Sequence, residues 1–188
     1  MKRIIVGITG ASGVQIGYRL LQALSARADV EVHLVITEGA RLTFEHETDL
    51  EMAQVEDLAD VVWDNRDQAA AISSGSFETS GMAVASCSMK SLSAIVNAYD
   101  DDLLVRAADV CAKEGRKVVL VPREAPLNRA HCRNLLRATE DGYVVLPPVL
   151  TFYNGCETTA DQVDHVVGRI LMQFGIDYDR LRPWEGRP

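Results

Sequence analysis

Apolar residues along this chain keep two alternating rhythms: short unbroken runs rich in Val and Ile, and longer stretches in which they recur every three or four positions. The first is how a strand buried on both faces reads, and the second is how a helix lying on a sheet reads. Five strands are predicted, over Arg3–Ile8, Glu31–Ile36, Met82–Ala85, Lys117–Val121 and Tyr143–Leu146, each followed by small, polar or proline residues before the next helix. The last helix has the sharpest pattern, with Val163, Val166, Val167, Ile170, Leu171 and Phe174 on one stripe behind a predicted capping box of Thr159 with Gln162. That stripe is core. The stretch from Leu50 to Asn65 mixes acids with scattered apolar residues, and Ala69–Ser76, ending Ser73-Ser74-Gly75-Ser76, reads as a loop. The fold class predicted is α/β, a three-layer doubly wound parallel sheet with helices on both faces. At 188 residues the chain fits a single domain around one core.

Composition narrows the function classes. With 47% apolar and 24% charged residues the chain is ordinary globular sequence. Its net charge of −8 argues against nucleic acid and anionic membranes as partners, since both select basic surfaces. No apolar run approaches a transmembrane length, and Met1-Lys2-Arg3 leads into a strand pattern instead of a signal peptide, so a cytoplasmic location is expected. Cys87, Cys111, Cys132 and Cys156 are widely spaced without a CxxC, and His33, His46, His131 and His165 show no ligand spacing. Neither a metal site nor a Ser-His-Asp triad is indicated.

Ligands of open α/β sheets bind where strands end, so the loops after the strands carry the candidate chemistry. After strand one, Gly7-Ile8-Thr9-Gly10-Ala11-Ser12-Gly13 lets backbone N–H groups at a helix start approach an anion; the same glycines also suit a turn that merely packs tightly. Its G-x-x-G-x-x-G spacing is neither the dinucleotide fingerprint nor a P-loop, and strand two ends in Ile36-Thr37-Glu38 with a hydroxyl where NAD would find an acid first, so a mononucleotide fits better. After strand three, Ser86-Cys87-Ser88-Met89-Lys90-Ser91 brings hydroxyls and one cation to a helix start, as a cap or as a second anion site. Cys87 there is either an activated thiol or a buried inert one. After strand four, Pro122-Arg123-Glu124-Ala125-Pro126 holds an Arg that can grip phosphate beside a Glu that can move a proton if burial raises its pKa; a surface ion pair is the plain alternative. Pro147 to Asn154 reads as a stiff pocket wall carrying the Tyr153 hydroxyl, and Arg169 lies off the last helix's apolar stripe.

Taken together, Gly10-Ala11-Ser12-Gly13, Ile72-Ser73-Ser74-Gly75-Ser76-Phe77, Cys87-Ser88-Met89-Lys90-Ser91, Lys113-Glu114-Gly115-Arg116, Pro122-Arg123-Glu124 and Phe152-Tyr153 resemble the UbiX family over essentially the full length. That family comprises flavin prenyltransferases, including small B subunits that accompany hydroxyarylic acid decarboxylases, on a flavodoxin-like fold. The resemblance implies that reduced FMN receives a dimethylallyl group from dimethylallyl monophosphate at N5 and C6, giving the prenylated FMN used by a UbiD-type decarboxylase. It also implies a homo-dodecamer with sites at subunit junctions and no metal. Carried over by motif, Gly10, Ala11, Ser12, Thr37, Ser88, Met89, Lys90, Ser91 and Arg123 hold FMN. Lys113, Arg123, Tyr153 and Arg169 clamp the prenyl phosphate, while Ser12, Glu47, Lys113 and Glu124 serve the reaction itself.

Cations on a departing phosphate and a largely dry pocket are what ionisation of an allyl C–O bond requires, and Glu124 or the released phosphate can carry the proton. The sequence departs from the family pattern at Ser86, Ala125 and Asn128-Arg129-Ala130-His131. Two other readings stand beside this one. An FMN-dependent decarboxylase of the same superfamily calls for an Asn-rich motif and a catalytic His that are not found here. A non-catalytic FMN-binding accessory subunit has no need for Lys113, Glu124, Tyr153 and Arg169.

Overall fold

The computed structural model describes residues 1–184 and Gly186. Its strands are β1 (Lys2–Ile8), β2 (Val30–Ile36), β3 (Val61–Trp63), β4 (Gly81–Cys87), β5 (Lys117–Pro122) and β6 (Val144–Val145), all paired in parallel in the order β3-β2-β1-β4-β5-β6. The five predicted strands are present, with β4 longer and β6 shorter than predicted. The sixth, β3, lies in the acid-rich stretch from Leu50 to Asn65, where three residues at the sheet edge have too few buried positions to declare themselves. The helices are α1 (Val14–Ser25), α2 (Glu38–Glu47), α3 (Met52–Glu56), α4 (Met89–Val96), α5 (Leu103–Lys113), α6 (Arg129–Glu140) and α7 (Thr159–Gln173), with a 3₁₀ turn at Ala71–Ser73 inside the predicted loop.

Alternation along β1 divides the core. Ile4, Val6 and Ile8 face a cluster shared with α1, α2 and α7, including Leu20, Phe44 and Ile170. Ile5 faces the other, with Met82, Leu92 and Leu104 from β4, α4 and α5. Each such side chain contributes roughly 1.5–3 kcal/mol by leaving water, which is why both faces of the inner strands must be covered. Among the described residues no helix is long and apolar enough to cross a membrane.

The last helix keeps its predicted stripe, but its entry differs. Thr158 is the N-cap, and its capping partner is Asp161. Gln162 instead accepts from the Thr151 backbone N–H at 3.0 Å and donates to the Thr151 carbonyl at 2.8 Å, tying the preceding segment to the helix. Phe174 is the C-cap residue and packs against the core from there. Buried Asp164 takes two bonds from Arg19 of α1, at 2.6 and 3.2 Å, and one from Tyr178 at 2.6 Å. Burial and this carboxylate push the Tyr178 hydroxyl up to about 12.

Helix α1 crosses the sheet at Gly17, where an added Cβ would collide with the Ala85 carbonyl of β4 and sit 2.7 Å from Ile8 Cδ1. Gly17→Ala should therefore cost about 2 kcal/mol, read as a lower urea midpoint at unchanged slope. An unchanged midpoint would mean that α1 can move off β4 without loss.

Candidate functional site

Strands β1 and β4 end side by side where the strand order reverses, the place at which this architecture opens a crevice. The chain leaves β1 in a tight turn, Ala11 N–H donating to the Thr9 carbonyl at 2.8 Å, and enters α1 through Gly13, whose φ of 96° is the left-handed conformation that favours glycine. No side chain caps α1. The Gly13 N–H instead donates to Glu47 Oε2 at 2.8 Å, so the end of α2 is fastened to the start of α1 and Glu47 stands beside Ser12. Gly10 lies against the first turn of α2, where a Cβ would come within 2.8 Å of the Gly39 carbonyl carbon. Thr37 is the N-cap of α2 and accepts from Ala40 N–H, leaving its hydroxyl proton free to donate.

Helix α4 starts at the same crevice. Ser88 is its N-cap, accepting from Ser91 N–H at 3.2 Å and donating to Ser91 Oγ at 3.1 Å. The relative position of the two helix starts is set by Thr9, which the sequence reading gave no role. Its buried hydroxyl donates to the Ser86 carbonyl at 2.9 Å and accepts Ser88 N–H at 2.7 Å. Ser86, one of the departures from the family pattern, donates from Oγ to the Ala11 carbonyl at 2.8 Å. The signal for Thr9 was present as the one hydroxyl between Gly7 and Gly10, but a β-branched residue ending a strand is ordinary and does not announce a bond across to β4.

Arg123 follows β5 and is held to this edge by its N–H on the Cys87 carbonyl at 3.2 Å. Its side chain, with those of Glu124 and Lys90, is exposed. Within one copy the loop runs outward after Pro122, and Glu124 Oε1 takes only its neighbour's N–H, from Ala125 at 3.0 Å. Asn128 and His131, part of another departure, form the capping box of α6.

Two of the residues expected to clamp the phosphate, Tyr153 and Arg169, lie against and on α7. The Tyr153 ring stands edge-on to His165, centroids 6.3 Å apart, and Arg169 follows His165 by one turn. Burial, and secondarily the Arg169 charge, depresses the His165 pKa. The Arg169 side chain is exposed.

Lys113 is elsewhere. It ends α5, four residues before β5 begins, and so lies at the amino edge of the sheet, whereas Arg123 lies at the carboxyl edge. Five strand rises of about 3.3 Å separate Lys117 from Pro122, about 17 Å in all, so Lys113 and Arg123 of one copy cannot hold the same phosphate. Among the described residues no group of three or more His, Cys, Asp or Glu is placed to hold a metal.

Cys87 is fully buried, and burial pushes its thiol up to about 12. Of the two readings of this residue the inert one holds, so native protein should leave Cys87 unlabelled by a thiol reagent that modifies it once the chain is denatured. Rapid labelling of Cys87 in the native state would contradict this.

Comparison with known proteins places this geometry. The family model for flavoproteins matches residues 1–175. A probable UbiX-like flavin prenyltransferase of Sedimentibacter hydroxybenzoicus is 54% identical over 184 residues, covering 98% of this chain and 97% of that protein. A dodecameric FMN-dependent UbiX-like decarboxylase from Escherichia coli O157:H7 superposes with a TM-score of 0.96 at 50% identity, over 98% of this chain and all of that one. A UbiX protein solved with FMN and dimethylallyl pyrophosphate does so at 0.96 with 45% identity, over 100% of this chain and 99% of that one. FMN-dependent cysteine decarboxylases share the fold at 17% identity and a TM-score of 0.63. The chain belongs to the flavoprotein family and, within it, to the UbiX-like flavin prenyltransferases.

Proposed function

We propose that this protein joins the dimethylallyl group of a dimethylallyl phosphate to N5 and C6 of reduced FMN, releases phosphate, and supplies the prenylated flavin to a UbiD-type decarboxylase. The observation that carries the reading is the convergence of two helix starts, α1 and α4, on one glycine- and hydroxyl-lined crevice, with Lys90 and Arg123 at its edge. Open N–H groups and two helix dipoles suit one phosphate of a mononucleotide. Gly10, Ala11 and Ser12 supply backbone and a hydroxyl, Thr37 and Ser91 supply hydroxyl donors, and Ser88, Met89, Lys90 and Arg123 complete the FMN set. When bound, reduced FMN supplies the electron-rich centres that take the dimethylallyl group. Cations distinguish this reaction from decarboxylation, which has no phosphate to release. Lys113, Arg123 and Arg169 stabilise that leaving group, Tyr153 donates to it, and Glu124 takes up the displaced proton. Glu47 and Ser12 hold the loop that faces the reacting centre.

Because one copy places Lys113 and Arg123 at opposite edges of the sheet, Lys113 acts in the site of another copy. The dodecameric relative supports a homo-oligomer of that kind. Four free cysteines support a cytoplasmic setting, where thiols stay reduced.

Incubated anaerobically with reduced FMN and dimethylallyl monophosphate, the protein should yield bound flavin heavier by C5H8 in mass spectrometry. A parallel incubation with the diphosphate decides between donors. Unmodified FMN from both would leave an accessory FMN-binding role instead. Thr9→Val, which strips the bridge between the two helix starts, should weaken FMN binding about tenfold in a fluorescence titration. Lys113→Ala and Glu124→Gln should each bind FMN normally and lose turnover. Co-assembled in equal amounts, the two variants should recover about a quarter of the wild-type rate, since random mixing leaves that share of sites with both residues intact. No recovery would place the two in one copy's site.

A further inference from the structure

The segment Ile72-Ser73-Ser74-Gly75-Ser76-Phe77 is part of the family resemblance, yet none of the roles above falls on it. It lies at the amino edge of the sheet, beside the end of α5, and its backbone is pinned there. Arg116 donates to the Gly75 carbonyl at 2.6 Å and to the Phe77 carbonyl at 2.8 Å, and Arg106 donates from Nε to the Ser73 carbonyl at 3.2 Å. Arg106 is itself held by Asp100 at 3.1 Å and Asp109 at 3.0 Å. Within the loop, Phe77 N–H donates to the Ser74 carbonyl at 3.2 Å and the Ser74 and Ser76 hydroxyls are 2.9 Å apart. One arginine near the start of α5 and one in the connection that follows it thus hold a short turn beside the helix.

The residue this turn presents to α5 is Gly75. Its φ lies outside the left-handed region, so an alanine could adopt the backbone without strain. What leaves no room for a side chain is the ion pair next to it. A Cβ built at position 75 would collide with Glu114 Oε1 and lie 2.9 Å from Lys113 Nζ. Lys113 Nζ and Glu114 Oε1 are 2.7 Å apart, and the nearby ammonium holds the Glu114 carboxyl below its ordinary range. Both side chains are exposed, 45% and 37%, and an exposed pair of adjacent residues does not by itself fix a lysine in one place. A rigid floor without a Cβ does.

We propose that Gly75 and Glu114 are positioning residues for Lys113: the pinned Ser73–Phe77 turn gives the Lys113–Glu114 pair a flat seat that holds the ammonium where a second copy's prenyl phosphate meets it. This rests on the reading that Lys113 acts on the donor phosphate of another copy. The glycine acts through the lysine. Because an added methyl would meet only the ends of two flexible side chains, Gly75→Ala moves the ammonium without moving the backbone.

The test is a double-mutant comparison in the full-length oligomer, using reduced FMN and dimethylallyl monophosphate. Gly75→Ala should keep FMN affinity and a thermal midpoint within about 2 °C of wild type. It should lower kcat/KM for the donor about tenfold. In a Lys113→Ala background it should lower the rate no further, because its effect passes through the lysine. Glu114→Gln, an exposed change without added bulk, is the second probe and should behave alike: slower in the wild-type background and silent in the Lys113→Ala one. The inference is overturned if both variants run at the wild-type rate while Lys113→Ala is slow, or if their losses multiply with that of Lys113→Ala. A wild-type rate in Lys113→Ala itself overturns the underlying role of the lysine and is recognised separately.

Discussion

One buried hydroxyl joins the two halves of the sheet at the point where they can separate. Strands β1 and β4 run together through the middle of the sheet and their chains then turn to opposite faces, β1 into α1 and β4 into α4. Thr9 bridges the gap, donating to Ser86 and accepting from Ser88, and Ser86 returns a bond to Ala11. Buried groups so placed cannot exchange their partners for water, and a lost bond costs the desolvation of whatever remains. The two helix starts are therefore set against each other by bonds that only the folded state can satisfy. Gly17 adds the steric half of the same constraint, letting α1 lie directly on the Ala85 carbonyl.

The fold was largely legible because burial on both faces writes itself into composition. β1, β2, β4 and β5 are runs that only a covered parallel sheet explains, and the stripe on α7 is unbroken. The misreadings fall where that signal is thin. β3 is a three-residue edge strand with one exposed and two half-buried positions, and the entry to α7 holds two adjacent threonines, each able to cap. Thr158 takes the cap because Asp161 also reaches back to its N–H, at 2.9 Å, while Gln162 is held by Thr151.

The site was legible one loop at a time and not as an assembly. Glycine spacing, the Ser-Met-Lys-Ser helix start and the Arg-Glu pair each pointed to a strand end, and the structure puts Gly10, Ser12, Thr37, Ser88 and Arg123 at one edge of the sheet. Tyr153 and Arg169 needed the packing of the 147–158 segment on α7, which no periodicity expresses. Lys113 is the case in which sequence order misleads. It stands ten residues before Arg123, close enough in the chain to suggest one cluster, but an entire strand lies between them.

That separation bears on the charge. A chain with eight more acids than bases must bring two anionic ligands together, and dispersed exposed cations are screened within about 8–10 Å. Two cations of one copy, Arg123 on the carboxyl edge and Lys113 on the amino edge, stand too far apart to act as one centre. On the proposed reading they become one when copies meet, each site drawing cations from different edges of neighbouring chains. On that reading an isolated subunit never carries the full positive charge of the site, and so avoids the mutual repulsion of converging cations while it folds. The field proposed to promote departure of the phosphate then arises only on assembly, so stability of the fold and chemistry of the site are placed on different levels of the same molecule.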